Sequence, residues 1–301
     1  MSGAAAGVFP LRPRRRPGGL EHGIVRSVLR GAGAEIAGSR PYVAGDDVRT
    51  IDWAASARLS SARGATELIV RETFADRAPR VVTVVDRRPS MALYPAPWLH
   101  KPSVVQAVEE LVTETAKAER ALRGRLMLAG NGPRLETPAA HSSSAQDEER
   151  TVFDAPPEAL TEGLRSLVGA RGLVPGTFVF VVSDFLEPPA ISAWAELLAR
   201  RLDVVPVVVQ DPLWESSFPA VGGVTLPLRD PRSRRGFDVR VSAKAAARRA
   251  RDNAARLAGL LHTFDDLGLD HLRLTTAAPN DVLGAFTEWA EVRHATEGWA
   301  S

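Results

Sequence analysis

The sequence predicts a doubly wound α/β fold with a mostly parallel sheet. Two runs carry the signal: residues 81–85 are continuously β-branched and residues 178–182 are fully apolar. They are too short for buried helices and apolar on both faces, as central parallel strands covered by helices must be. The first ends at Asp86 and the second at Ser183-Asp184. Around them, stretches of helical spacing alternate with short strand-like runs, the pattern of right-handed βαβ crossovers.

A chain of 301 residues, 45% hydrophobic and 25% charged, buries a full core and belongs to neither the disordered nor the membrane class. No apolar run approaches the roughly 20 residues that a spanning helix needs, so a cytoplasmic protein is expected. Residues 1–19 place Arg14, Arg15 and Arg16 after a short apolar patch, the reverse of a secretory signal, and read as a flexible basic tail. Cysteine is absent, which excludes disulfides, thiol nucleophiles and thiolate metal sites. Only Lys101, Lys117 and Lys244 among the 38 basic residues are lysine, so the positive charge is almost all guanidinium. The net charge of +2 does not by itself call for a nucleic-acid partner.

In chain order, residues 20–38 are glycine-rich and expected to be irregular. Gly45-Asp46-Asp47 is a turn signal, and residues 48–53 alternate as a half-buried strand does. Asp46, Asp47 and Asp52 lie close in sequence to Arg40, Arg49 and Arg58. This set reads either as an acid or metal site or as an arginine–aspartate clamp holding an irregular segment, and without a histidine the clamp is preferred. Residues 67–74 form a further strand. Residues 104–122 keep helical spacing, Asn131-Gly132 is a hairpin turn, and residues 138–150 are an exposed loop. A helix over 157–168, a helix over 191–202 and a buried strand over 204–209 follow; Pro206 marks a bulge or an early edge position in that strand. Residues 224–228 and 237–241 flank a turn-rich segment as a β-hairpin. Ser242 caps and Gly268 stops a long helix, and a last strand (270–275) and helix (282–294) close the domain.

The run Arg40-x-Tyr42, Gly45-Asp46-Asp47-x-Arg49-x-Ile51-Asp52-Trp53 and Ser56-Ala57-Arg58, then Asp86, Ser90-Met91 and Val181-Val182-Ser183-Asp184-Phe185-Leu186, resembles the bacterial family called "domain of unknown function fifty-eight". The resemblance covers nearly the whole chain after residue 20. It implies a von Willebrand factor A-like domain over 80–295, an N-terminal β or irregular extension over 20–79, a short tail over 296–301, and association with a MoxR-type AAA+ ATPase.

Such domains resemble integrin-type folds that hold Mg²⁺ through an Asp-x-Ser-x-Ser loop, a threonine and a distant acid. Asp86 and Ser90 match the loop and Asp184 the distant acid, which makes Asp86, Ser90 and Asp184 the candidate metal ligands. Arg88 stands where the first serine should be, and no threonine is placed. Because a guanidinium repels a nearby divalent cation, the expectation is a degenerate site in which Arg88 pairs with Asp86 and Asp184. Gly-x-Ser-x-Gly, Walker and His-Glu-x-x-His motifs are absent, and the six histidines are scattered. His262, with Asp265 and Asp266, reads as a surface face. The function expected is a non-enzymatic interaction module. The alternatives are nucleic-acid binding through Arg14, Arg15, Arg16, Arg232, Arg234, Arg235, Arg248, Arg249 and Arg251, or a metal-dependent hydrolase using Asp86 and Asp184.

Overall fold

The computed structural model describes residues 7–12, 36–42, 51–63, 68–73, 78–93, 97–129, 132–139, 152–233 and 235–297. The chain divides into two units, Arg15–Ala78 and Met1–Arg14 together with Pro79–Ser301.

In the smaller unit, β1 (Ile36–Pro41) pairs antiparallel with β2 (Ile69–Thr73), and α1 (Trp53–Arg63) lies between them in sequence. Of the strand expected over 48–53, residues 48–50 lie outside the described residues; Ile51 makes a single bridge to Val70, and the chain turns helical at Trp53. The reason is local. The Asp52 carboxylate accepts a hydrogen bond from Ala55 N at 3.0 Å, as an N-cap residue does. The Ser56 hydroxyl then donates to the Asp52 carbonyl at 2.7 Å and accepts from Ile69 N at 2.8 Å, tying the first turn of α1 to β2.

The larger unit is built on a six-stranded sheet. Its strands are β3 (Arg80–Val85), β4 (Leu122–Ala129), β5 (Gly132–Ala139), β6 (Phe178–Ser183), β7 (Asp203–Val209) and β10 (Leu272–Leu274), in the order β10-β7-β6-β3-β4-β5. All neighbours are parallel except β4 and β5, which form the predicted hairpin. Pro206 sits in β7 without conflict because the ladder to β10 begins only at Val207. β8 (Val224–Arg229) and β9 (Gly236–Val241) form a separate antiparallel ribbon.

Alternation along the central strands sends side chains to two cores. Val81, Val85, Phe178, Phe180 and Val182 pack against α2 (Lys101–Ala118) and α6 (Pro279–Glu297). Val82, Val84, Val179 and Val181 pack against α3 (Ala159–Val168), α4 (Ile191–Ala199) and α5 (Ala243–Asp266). The helices therefore cover both faces, which is why these strands carry apolar residues on both sides.

Residues 7–12 correct the expectation of a flexible tail. Phe9 is fully buried, with ring centroids 4.8 Å from Phe286 and 6.0 Å from Phe180 and Trp289. A short apolar patch ahead of an arginine run gives no periodicity to read, and only the tertiary fold offers it a slot. Truncation of a buried phenylalanine costs about 3–5 kcal/mol. Urea unfolding of Phe9→Ala is expected to show a loss of that size, and a change under about 0.5 kcal/mol would show that the segment contributes nothing to the core.

Candidate functional site

β3 and β6 run side by side with Val85 opposite Val182, and Asp86 N donates to the Val182 carbonyl at 2.9 Å. From these two strands the chain turns outward in opposite directions along the sheet, so their carboxyl ends form the topological switch point where ligands bind in doubly wound folds. Asp86, Ser183 and Asp184 are all fully buried there.

Asp86 is held by the loop that follows it. Its Oδ1 accepts from the Arg88 backbone N at 2.9 Å and from Arg88 Nε at 3.0 Å. Its Oδ2 accepts from Arg88 Nη2 at 2.6 Å and from the Ser183 hydroxyl at 2.7 Å. Arg88 Nη1 donates to the Glu187 carbonyl at 2.7 Å. Burial pulls the Arg88 pKa down, but the hydrogen bond and charge of Asp86 more than offset this, and the guanidinium is held more firmly charged than in water. Arg87 turns away, its guanidinium 4.9 Å from the centroid of the Phe153 ring.

Asp184 has a different cation. Lys101, fully buried at the start of α2, donates to Asp184 Oδ2 at 2.8 Å, Glu215 Oε1 at 2.5 Å and the Ser90 carbonyl at 3.0 Å. Three ammonium protons meet three acceptors. Leu186 N donates to Asp184 Oδ1 at 3.1 Å, and the Ser90 hydroxyl also bonds this carboxylate. Between them Phe185 takes a left-handed φ of 47°, unusual for a bulky residue. Its ring is buried against Trp194 and Phe264, which compensates the strain and aims the Asp184 loop. Glu215 is held from behind: its Oε2 accepts from Asp211 N at 2.9 Å, while Asp211 itself accepts from the backbone N–H groups of Leu99, Leu213 and Trp214.

Burial pushes the Asp184 carboxyl up, but the charge and hydrogen bond of Lys101 outweigh it, and the net shift is downward from 3.8. Glu215 moves the other way, above 4.5, because burial is joined by repulsion from Asp184 and one ammonium is shared between two acids.

These residues do not fit a Mg²⁺ site. The ion needs octahedral oxygen ligands at about 2.0–2.1 Å. Arg88 and Lys101 occupy the carboxylate faces it would use, and together they carry the charge of one divalent ion. Among the described residues no group of three or more His, Asp or Glu side chains is placed to hold a metal. Arg88 meets Asp86 as the sequence reading expected, whereas the ion-pair partner of Asp184 is Lys101 in place of Arg88. Lys101 and Glu215 escaped that reading. One signal was present: Lys101 is one of three lysines among 38 basic residues, at the mouth of a helix where the dipole disfavours a cation.

Of the clamp residues, Asp46, Asp47 and Arg49 lie outside the described residues. Arg40 falls in β1 opposite Val70, Asp52 caps α1, and Arg58 Nε donates to the Ala54 carbonyl at 3.1 Å. Of the arginine run, Arg14, Arg15, Arg16 and Arg234 lie outside the described residues, Arg232 pairs with Glu187 at 2.9 Å, and Arg248 faces Asp252 at 3.6 Å. His262 faces Asp266 at 3.5 Å on the exposed side of α5.

The strand order, the single antiparallel edge strand and the acids at the switch point define a von Willebrand factor A-like domain whose switch-point carboxylates are paired with cations of the same chain. A family model described as "Protein of unknown function DUF58" matches residues 38–258, and the chain belongs to that family. It is similar to the uncharacterized proteins Mb1516 of Mycobacterium bovis and Rv1480 of Mycobacterium tuberculosis. Each is 26% identical over 283 residues, covering 91% of this chain and 84% of the relative. Among solved structures, the conserved hypothetical protein BatB from Bacteroides thetaiotaomicron aligns with 71% of this chain and 100% of its own, with a TM-score of 0.40 and 16% identity. An aerotolerance-related membrane protein from Bacteroides fragilis aligns with 71% of this chain and 99% of its own, with a TM-score of 0.40 and 15% identity. No helix among the described residues of the present chain is long and apolar enough to cross a membrane.

Removing one partner of a buried ion pair costs about 3–5 kcal/mol, because the other charge is left unpaired. Lys101→Met is expected to lose stability on that scale in urea unfolding, and Lys101→Met combined with Asp184→Asn and Glu215→Gln to recover most of it. A single variant as stable as wild type would show that the lysine does not neutralise these acids. The two carboxylates also give opposite pH dependences. Asp184, shifted down, contributes stability above pH 3.8 that is lost as pH falls through its folded value. Glu215, shifted up, contributes stability below pH 4.5 that is lost as pH rises through its folded value. Between pH 4.5 and 7, Glu215→Gln is therefore expected to gain stability relative to wild type as pH rises; a constant difference would contradict the upward shift.

Proposed function

We propose that the protein is a non-enzymatic protein-interaction module of von Willebrand A-like type that recognises its partner without a bound metal. The observation that carries this reading is that each acid at the switch point has a protein cation seated on it, Arg88 on Asp86 and Lys101 on Asp184. Asp86, with both oxygens engaged, is poorly placed to act as a general base, and a partner carboxylate has no ion here to complete. The same edge offers apolar contact in its place: Trp98 is 40% and Leu213 42% exposed, with Trp98 packed edge-on to Trp214. The family resemblance points to a MoxR-type AAA+ ATPase as the partner.

Thermal melts in Mg²⁺ and in EDTA test the metal-independent part. A ligand at a hundredfold its dissociation constant adds about 2.7 kcal/mol to the native state. Wild type is expected to melt at the same temperature in both, and a rise in Mg²⁺ that Arg88→Ser enlarges would overturn the reading. Immobilised protein is further expected to retain a purified MoxR-type ATPase equally with and without EDTA; no retention in either buffer would remove that partner.

A further inference from the structure

We infer that the β8–β9 ribbon is the docking surface for an acidic, amphipathic helix of a partner protein. This inference rests on the interaction-module reading and names the surface that reading leaves open.

Register fixes the first half of the case. Val224 lies opposite Val241, Leu226 opposite Val239 and Leu228 opposite Phe237. Directly opposed residues and their i+2 neighbours share a face, so one side of the ribbon is apolar at all six positions. Burial along that face is graded. Val241 is buried, Val224, Leu226 and Val239 are half-buried, and the pair nearest the turn is open, Leu228 at 39% and Phe237 at 50% exposure. A two-stranded ribbon is marginal by itself, and an aromatic–aliphatic cross-strand pair left half in water is a contact surface awaiting its second side.

Charge supplies the second half. Residues 224–251 contain nine arginines and lysines against Asp230 and Asp238, in a chain whose net charge is only +2. Arg229, Arg232, Arg235 and Arg240 are exposed on the turn and the opposite face of the ribbon. At a screening length of about 8–10 Å their field reaches through a single layer of strands. Lys244, Arg248 and Arg251 recur along one exposed stripe of α5. That helix has no acid in its first turn, where Lys244 stands against the dipole. Apart from Arg248, which faces Asp252 at 3.6 Å, the arrangement offers positive potential to something outside. Asp230, which accepts from Arg232 N at 2.8 Å and the Ser233 hydroxyl at 2.7 Å, and Asp238 offset two of the nine charges and leave the stretch strongly basic. Arg232 also reaches Glu187 at 2.9 Å, whose carbonyl holds Arg88, so the surface continues to the switch point.

An apolar face set in positive potential complements a helix with an apolar stripe and acidic flanks. A second copy of this chain would bring its own arginines against these. A bilayer would need apolar residues at the turn, where Asp230, Arg232, Ser233 and Arg235 stand. A phosphate backbone would leave Leu228 and Phe237 uncovered.

The test uses the full chain and a fluorescent synthetic helix with leucines at i, i+4 and i+7 and glutamates between them, beside a peptide of the same composition in scrambled order. Wild type is expected to bind the patterned peptide at least about tenfold more tightly than the scrambled one. Leu228→Ser with Phe237→Ser is expected to erase the difference with an unchanged urea midpoint, and Arg232→Glu with Arg235→Glu to weaken both. Equal binding of the two peptides overturns the inference. So does tighter binding, indifferent to Phe237, to a DNA duplex or to vesicles of phosphatidylcholine and phosphatidylserine. Dimerisation in sedimentation that the serine variant abolishes would assign the face to a second copy and overturns it as well. If the serine variant still retains a MoxR-type ATPase as wild type does, the module reading stands and this surface falls. If wild type binds the patterned peptide and retains no such ATPase, the surface stands and that partner falls.

Discussion

Two carboxylates buried at the ends of adjacent parallel strands must be neutralised, and the rest of the larger unit is arranged around that requirement. Asp86 and Asp184 are both fully buried. An unpaired buried carboxylate is costly enough to be protonated or to force the site open. Here each receives a cation from its own chain. Arg88 comes from the loop after β3, only two residues from its acid, and Lys101 from the first turn of the helix that follows. The pairs differ in reach: the first stiffens a single loop, whereas the second joins β6, α2 and the segment after β7 through Glu215 and Asp211.

That difference explains details which otherwise look accidental. A lysine at a helix N-terminus opposes the dipole, yet Lys101 is fully buried there because two acids and a carbonyl converge on it. Phe185 accepts a left-handed backbone because the turn it makes lets Leu186 N cap Asp184 while its ring fills the opposite core. Buried ion pairs contribute less to net stability than to fixing one arrangement over others. In this fold the arrangement fixed is the switch-point edge, where recognition takes place in doubly wound sheets.

The β8–β9 ribbon contrasts with that edge. It lies outside the main ladder, is anchored at its base through Val241 and at its turn through Arg232 and Glu187, and keeps Leu228 and Phe237 in water. The switch-point edge thus pairs its charges internally, while the neighbouring ribbon and the start of α5 keep theirs exposed, with only surface pairs from Arg232 to Glu187 and from Arg248 to Asp252.

The sequence by itself determined the elements whose signal is local. Apolar runs too short for helices gave β3 and β6, Ser242 and Gly268 bracketed α5, and alternation with turn residues marked the β8–β9 hairpin. It also placed Asp86, Arg88 and Asp184 at strand ends, because the end of a buried strand is readable from where apolar residues stop. What only the tertiary structure decided is which charge meets which. Lys101 reaches Asp184 across 83 residues and Glu215 across 114. Phe9 finds its slot between Phe286 and Trp289 far along the chain. Trp53 begins a helix where alternation predicted a strand, because the Asp52 cap and its link through Ser56 to β2 override a short periodic pattern. Periodicity and capping act over a few residues and are written in order along the chain. Pairing of charges and filling of a core depend on distances that exist only once the sheet has brought remote segments together.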